Sequence, residues 1–359
     1  MQSGLDDVIA AETILSDVDG ENGILIIRGQ SLDALAGHWR FEDAARLLLD
    51  GFLDGLGDGD SFARRLGAAR ADVFARISPL LDHLVPLDIY EAMRAGTALL
   101  PDGHDLESAL QLLAAPAVIT TMLLRGKAGE ALIAPDPALG HAHDIVRMLG
   151  HEADHEALGR ALDTYLVTVC DHGLNASTFA ARVVASTQAG LASAVVSGMS
   201  ALKGPLHGGA PGPIIAMLDA MAKAEDPAAW LTAEIARGER LMGFGHRIYR
   251  VRDPRADALK NAVRRLPLRS GRLAFAESAE QLALAALRKA KPNRVLETNV
   301  EFYTAILLEA IGFPPDSFTC VFASGRVAGW IAHAREQQAN GRLIRPQSRY
   351  VGPSLPIAA

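Results

Sequence analysis

The sequence predicts an all-α protein, on three observations. Apolar residues recur at helical spacing: Phe41, Ala44, Ala45 and Leu48 fall at i, i+3, i+4 and i+7, with Leu47 and Leu49 flanking the stripe. Similar stripes cover 161–170, 189–202, 213–223, 277–288 and 300–311. Aromatic residues make up only 5% of the chain, and runs of alternating Val, Ile and Thr are few, which leaves little to build a sheet core.

Taken in order, the elements have local reasons. Gly23–Gly29 (GILIIRG) is the exception to the helical pattern and reads as a short hairpin strand. The Asp/Gly-rich stretch at 54–60 reads as a surface loop. From Val183 to Leu202 there is no charged residue, long enough to span a bilayer. Ser186, Thr187, Gln188, Ser193, Ser197 and Ser200 make it too polar for lipid. It is expected to be one buried helix whose Gly190, Ala194 and Gly198 admit a close neighbour at a subunit interface. Gly204-Pro205 ends it, Asp253-Pro254 is a turn, and Pro314-Pro315 separates a helix ending near Gly312 from one starting at Asp316 or Ser317.

Composition narrows the function. A chain of 359 residues suggests two domains, and 49% apolar against 21% charged residues supports a sizeable core. A net charge of -7 argues against nucleic acid as a main partner. Cys170 and Cys320 sit singly in apolar stretches, offering neither zinc spacing nor a disulfide framework and fitting a reducing cytosol. The N-terminus is acidic, without a signal-peptide core, so a cytoplasmic location and no membrane partner are expected.

Gly, Pro, His and charge gather in a few short segments: DHGLNAST (171–178), KGPLHGGAP (203–211), MGFGHRIYRVRDPRA (242–256) and ETNVEFYTA (297–305). His207 lies in a glycine-rich break, either to meet a ligand or merely to cap a helix. His246 precedes Arg247, Arg250, Arg252 and Arg255, which form an anion site or a solvated basic turn. Glu301 follows a Thr298-Asn299 cap, where an acid serves chemistry or the helix dipole. Arg326 stands in an otherwise apolar helix, as a ligand contact or a structural arginine paired with a carboxylate. His141, His143, His151 and His155 form a loose cluster with no supporting metal-ligand pattern and read as a surface helix.

The words GPLHGGA, GFGHR-x-Y-x-x-RDPRA, NVEFY and IRPxSxYxGP, with GLDDVIAAETILSDVDGENGILIIRG before them and DHGLNASTFAARVVAST between, resemble the citrate synthase family over residues 4–353. That resemblance implies a two-domain helical fold with the active site in the cleft. The large domain would hold 1–209 and 319–359, and the small one 210–318. It implies His207, His246 and Glu301 as catalytic residues, and His172, Arg255 and Arg326 as substrate-binding residues. Arg345 would be supplied by the partner subunit of a homodimer with shared active sites. Gly243, Phe244, Gly245, Lys291 and Arg294 are the implied coenzyme A contacts. No metal or redox cofactor is implied; a coenzyme A thioester and a 2-keto acid are the substrates.

The implied reaction joins acetyl-CoA to oxaloacetate and hydrolyses the citryl thioester. Propionyl-CoA chemistry, as in 2-methylcitrate synthase, is the nearest alternative, and a low-activity or non-catalytic CoA-binding paralogue is another. The family usually carries Asp at the position of Glu301.

Overall fold

The α8 helix (His155–Val169) is surrounded by others because almost every residue from Leu158 to Val169 is buried, so it has no solvent face to spare. In the computed structural model, which describes residues 8–151, 155–208, 211–246, 248–266 and 271–353, this helix and the last one, α16 (Phe318–Asn340), form the centre. The two approach closely because α16 carries Gly325 and Gly329 at the contact. A Cβ on Gly325 would stand 2.5 Å from Val169 Cγ2, and one on Gly329 would stand 2.5 Å from the Cys170 carbonyl oxygen. This approach sets Arg326, between the two glycines, against the end of α8.

The chain begins with a small antiparallel sheet: β1 (Ser16–Asp19), β2 (Ile24–Ile27) and β3 (Gln30–Ser31), in that order, with Ser16 opposite Ile27 and Ile26 opposite Ser31. The helical part then runs through α1 (Leu32–Leu35), α2 (Phe41–Leu49), α3 (Gly59–Ile77), α4 (Leu81–Leu84), α5 (Ile89–Ala98), α6 (Leu106–Ala128) and α7 (His141–Met148) to α8. Next come α9 (Ala176–Ala185) and α10 (Leu191–Leu202), which pack on α16. A second group, α11 (Pro211–Lys223), α12 (Pro227–Ala236), α13 (Pro254–Arg264), α14 (Arg272–Ala290) and α15 (Val300–Ile311), packs mainly within itself. Here α13 lies on α15, α12 on α14 and α11 on α15. The second group meets α8 through α13 and α15. A 3-10 turn at Pro315–Ser317 leads into α16, as the Pro-Pro break predicts.

Three expectations need correction. The uncharged stretch 183–202 is two helices, broken at 186–190, where Gln188 takes φ 64° and Gly190 caps α10. The close approach at Gly198 is to Trp330 of the same chain, whose Cδ2 would lie 2.8 Å from a Cβ at that position, so it serves the protomer's own core. Among the described residues, the helix that is long and apolar enough to cross a membrane is instead α6, and 83% of its apolar window is buried inside the protein. The third correction concerns His141, which is fully buried against the Phe41 ring and not on a surface helix.

Candidate active site

Three segments distant in sequence meet beyond the C-terminal end of α8. His172 follows that helix directly. His246 and Tyr249 lie on the irregular stretch before α13, and Arg255 lies in its first turn. The His172 and His246 rings meet edge to face at 5.8 Å, and His172 Nε2 is 3.2 Å from the Tyr249 hydroxyl. The Arg255 guanidinium lies over the Tyr249 ring at 5.5 Å. Asp253 holds that guanidinium with both oxygens, at 2.9 and 2.8 Å, and also accepts from the Val300 N–H at 3.1 Å. One buried carboxylate thus ties Arg255 to the first turn of α15.

His246 is held in one tautomer by the backbone. Its Nδ1 accepts from the N–H groups of Ile248 (3.0 Å) and Tyr249 (3.1 Å), so the neutral ring carries its hydrogen on Nε2. Burial, then Arg255, push the ring's pKa down to about 4. Its Nε2–H therefore faces Arg255 Nη2, another donor, at 3.1 Å. Two donors converging without an acceptor suit an oxygen-rich ligand placed between them. His172 is kept neutral by the same surroundings: burial first, then Arg255, Arg326 and His246.

His207 stands on the turns after α10, with Nε2 2.8 Å from Ser177 Oγ. Ser177 Oγ also accepts from Trp330 Nε1 at 3.1 Å. The same hydroxyl donates to Asn175 Oδ1 at 2.8 Å, which also accepts the backbone N–H groups of Ser177 and Thr178. The contact with Ser177 fixes the position of the His207 ring. Burial and Arg326 lower this ring's pKa to about 4.

Glu301 occupies the first turn of α15 as the Asn299 cap predicts: Asn299 Oδ1 accepts its N–H at 3.0 Å. Its half-buried carboxylate makes no hydrogen bond or ion pair with the described residues. Burial raises its pKa to about 7, against the opposing pull of Arg255 and Arg240. A base with that value is stronger than an ordinary carboxylate and still ionises near neutrality.

Arg326 is 2% exposed, and its Nε donates to the Val169 carbonyl at 2.7 Å, at the negative end of α8. It has no carboxylate partner among the described residues, which decides against a structural ion pair. Burial lowers its pKa to about 10. Asp171 compensates this cation only through space, with no ion pair, so an anionic ligand in direct contact would relieve the remaining cost of burial.

The Gly243-Phe244-Gly245 segment pairs with 297–299. Phe244 bridges Thr298, Gly245 N–H donates to the Glu297 carbonyl (2.7 Å), and Asn299 N–H donates to the Gly243 carbonyl (3.0 Å). Both glycines have positive φ, 89° and 81°, and the Phe244 ring is buried against Phe302 at 5.4 Å. The segment could therefore meet a ligand only through its backbone. Lys291 and Arg294 are exposed on the turn leading to 297–299. Arg345 is exposed on the irregular segment after α16 and makes none of these contacts. Arg247 and Gly209 lie outside the described residues.

The motifs did not announce the layer behind the site. Asp171 Oδ2 accepts from Ser16 Oγ and lies 3.3 Å from His333 Nε2. Burial favours the acid form of Asp171, yet His333 and Arg326 hold it below the usual carboxylate range. Asp171 and Ser177 flank His172 within the DHGLNAST word, and that proximity is the one signal that could have marked them.

A family model described as citrate synthase, C-terminal domain, matches residues 4–347. The chain is 38% identical to a putative citrate synthase 2 of Mycobacterium tuberculosis H37Rv, over 98% of this chain and 92% of that protein. It is 34% identical to a 2-methylcitrate synthase of the same strain, over 98% of this chain and 91% of the relative. Its fold matches citrate synthase from the thermophilic archaeon Thermoplasma acidophilum, solved as a ternary complex with carboxymethyl coenzyme A and oxaloacetate. The TM-score is 0.82, with 28% identity over 99% of this chain and 98% of that one.

Proposed function

The chain belongs to the citrate synthase family, whose members transfer acyl groups, and from that premise we propose that it condenses acetyl-CoA with oxaloacetate and hydrolyses the product to citrate and CoA. The observation that carries this reading is the grouping of neutral His172 and His246 with Arg255, beside Arg326, a buried arginine with no carboxylate partner among the described residues. It fits a small dicarboxylate with a ketone between the two arginines.

The chemistry follows from the protonation states. The Glu301 carboxylate takes a proton from the thioester methyl group while the His207 ring donates a hydrogen bond to the forming enolate oxygen. His246 Nε2–H polarises the ketone, and the enolate carbon attacks it. The new alkoxide takes the Nε2 proton of His246, and the ring recovers a proton through water from the Glu301 carboxylic acid, which restores both residues. Water then cleaves the citryl thioester, releasing CoA. These steps need no metal or redox cofactor. Gly243, Phe244 and Gly245, through their backbone, and exposed Lys291 and Arg294 are the proposed CoA contacts.

Propionyl-CoA is the second reading, favoured by the similarity to a 2-methylcitrate synthase. One methylene is worth only about 1–3 kcal/mol in a pocket. Relative kcat/KM for the two thioesters with oxaloacetate decides between them, and release of free thiol from neither would overturn both.

The proposal extends to assembly. Residues 210–318 act as a small domain that closes on 1–209 and 319–359, supported by the way α11–α15 pack among themselves. Scattering with oxaloacetate and a CoA analogue is expected to show compaction; superimposable curves would count against closure. The protein works as a cytoplasmic homodimer in which Arg345 completes the partner's site. Mixing inactive Arg345→Ala and Glu301→Gln chains should then restore activity, since one site of each hybrid has both residues.

A further inference from the structure

Tyr165 lies on α8, one turn before Val169, whose carbonyl holds Arg326. Its side chain is 0% exposed, and its hydroxyl makes no hydrogen bond of normal geometry, although the Thr304 hydroxyl on α15 lies close enough to act on it. The helix that carries Tyr165 packs against α13, α15 and α16, which carry Arg255, Glu301 and Arg326. The hydroxyl is within electrostatic reach of all three groups, and burial raises its pKa, so it remains a protonated donor at neutral pH. A buried hydroxyl left unpaired is destabilising, and a phenylalanine would fill the same place without that cost.

From its place between the arginine-bearing helices and its lack of a partner, we propose that the Tyr165 hydroxyl donates a hydrogen bond to a carboxylate oxygen of the bound 2-keto acid. This rests on the reading of Arg255 and Arg326 as the pair that holds that substrate. The donor is neutral, so it adds directionality beside the two charged arginines. It also gives the arginine-bound carboxylate a third point of contact, which fixes the plane of the ketone presented to His246. Glu301 is the competing acceptor, but it would use the same hydroxyl in the free enzyme, where no such hydrogen bond is made.

The test measures oxaloacetate affinity, by calorimetry and by ligand-induced thermal shift, for the wild type, Tyr165→Phe and Arg326→Met. Tyr165→Phe is expected to match or exceed the wild type in ligand-free Tm, because it removes an unpaired buried hydroxyl. Its Kd for oxaloacetate should rise about tenfold, as for a lost hydrogen bond to a charged group. Unchanged affinity in Tyr165→Phe with affinity lost in Arg326→Met would overturn the Tyr165 role alone. Full affinity in Arg326→Met would overturn the site reading itself. A fall in kcat with unchanged oxaloacetate Kd would assign the hydroxyl to Glu301 instead and refute the proposal.

Discussion

Replacing Glu301 by Gln should make the enzyme more stable and inactive, and the pH dependence of the stability gain is the revealing part. In the folded chain the carboxyl group titrates near about 7, against 4.5 for an unburied one. The difference corresponds to roughly 3 kcal/mol of unfavourable charging in the folded state. The folded pKa is raised, so the stabilising contribution is fully present below pH 4.5, falls as pH rises, and is lost above about 7. Glutamine never ionises and escapes this loss. The Gln variant should therefore equal the wild type in stability near pH 4.5 and exceed it by roughly 3 kcal/mol at about pH 8, in denaturant titrations without ligand. Exchange of the acetyl-CoA methyl protons with solvent should vanish in the same variant while oxaloacetate still binds. A stability difference that does not change with pH would refute the burial argument. Methyl exchange at the wild-type rate would refute the assignment of Glu301 as base.

Glu301→Asp should lower kcat by up to ~100-fold, the cost of a ~1 Å retreat of the base; the first turn of α15 is pinned by Asn299 and by Asp253 and has little freedom to follow. A kcat at or above the wild type would show that it can. Arg326→Met should weaken oxaloacetate binding by about 2–5 kcal/mol, measured by calorimetry, because the ligand then loses its buried charged partner. Ser177→Ala should lower kcat about tenfold without changing oxaloacetate affinity in the same titration, since only the orientation of His207 is lost. Gly198→Leu should destabilise the protomer itself by several kcal/mol, seen as a lower denaturation midpoint, because its Cβ would stand 2.8 Å from Trp330 Cδ2. Stability should also fall as pH drops from 6.5 towards 4, where His207 and His246 resist protonation in the folded state; His207→Gln should lessen that acid sensitivity.

Much of this protein could be read from its residues in order because the relevant signals are local. Helical period sets α2, α11 and α15, and Asn299 caps α15 where its side-chain chemistry requires. The Pro-Pro pair forces the turn before α16. The motif words marked His172, His207, His246, Arg255, Glu301 and Arg326 by their resemblance to a family, without saying how they meet. Periodicity failed at 183–202 because small apolar residues support one long helix as readily as two short ones. The break there depends on Gln188 taking a left-handed conformation, which no pattern of hydrophobicity announces.

Charge environment and pairing, by contrast, waited on the folded chain, because both depend on groups far apart in sequence. Arg326 could have met a carboxylate; instead Gly325 and Gly329 bring it to the Val169 carbonyl, leaving its charge unpaired among the described residues. The pKa of Glu301 follows from burial, and the tautomer of His246 from two backbone N–H groups that its own loop turns back upon it. Asp253-Pro254 reads as a turn in sequence, yet in the fold the Asp253 carboxylate joins Arg255 to the first turn of α15. The order of residues settles which side chains are available and where helices begin. The long-range packing of α8, α13, α15 and α16 settles which of those side chains face one another, and electrostatics acts through space, not along the chain.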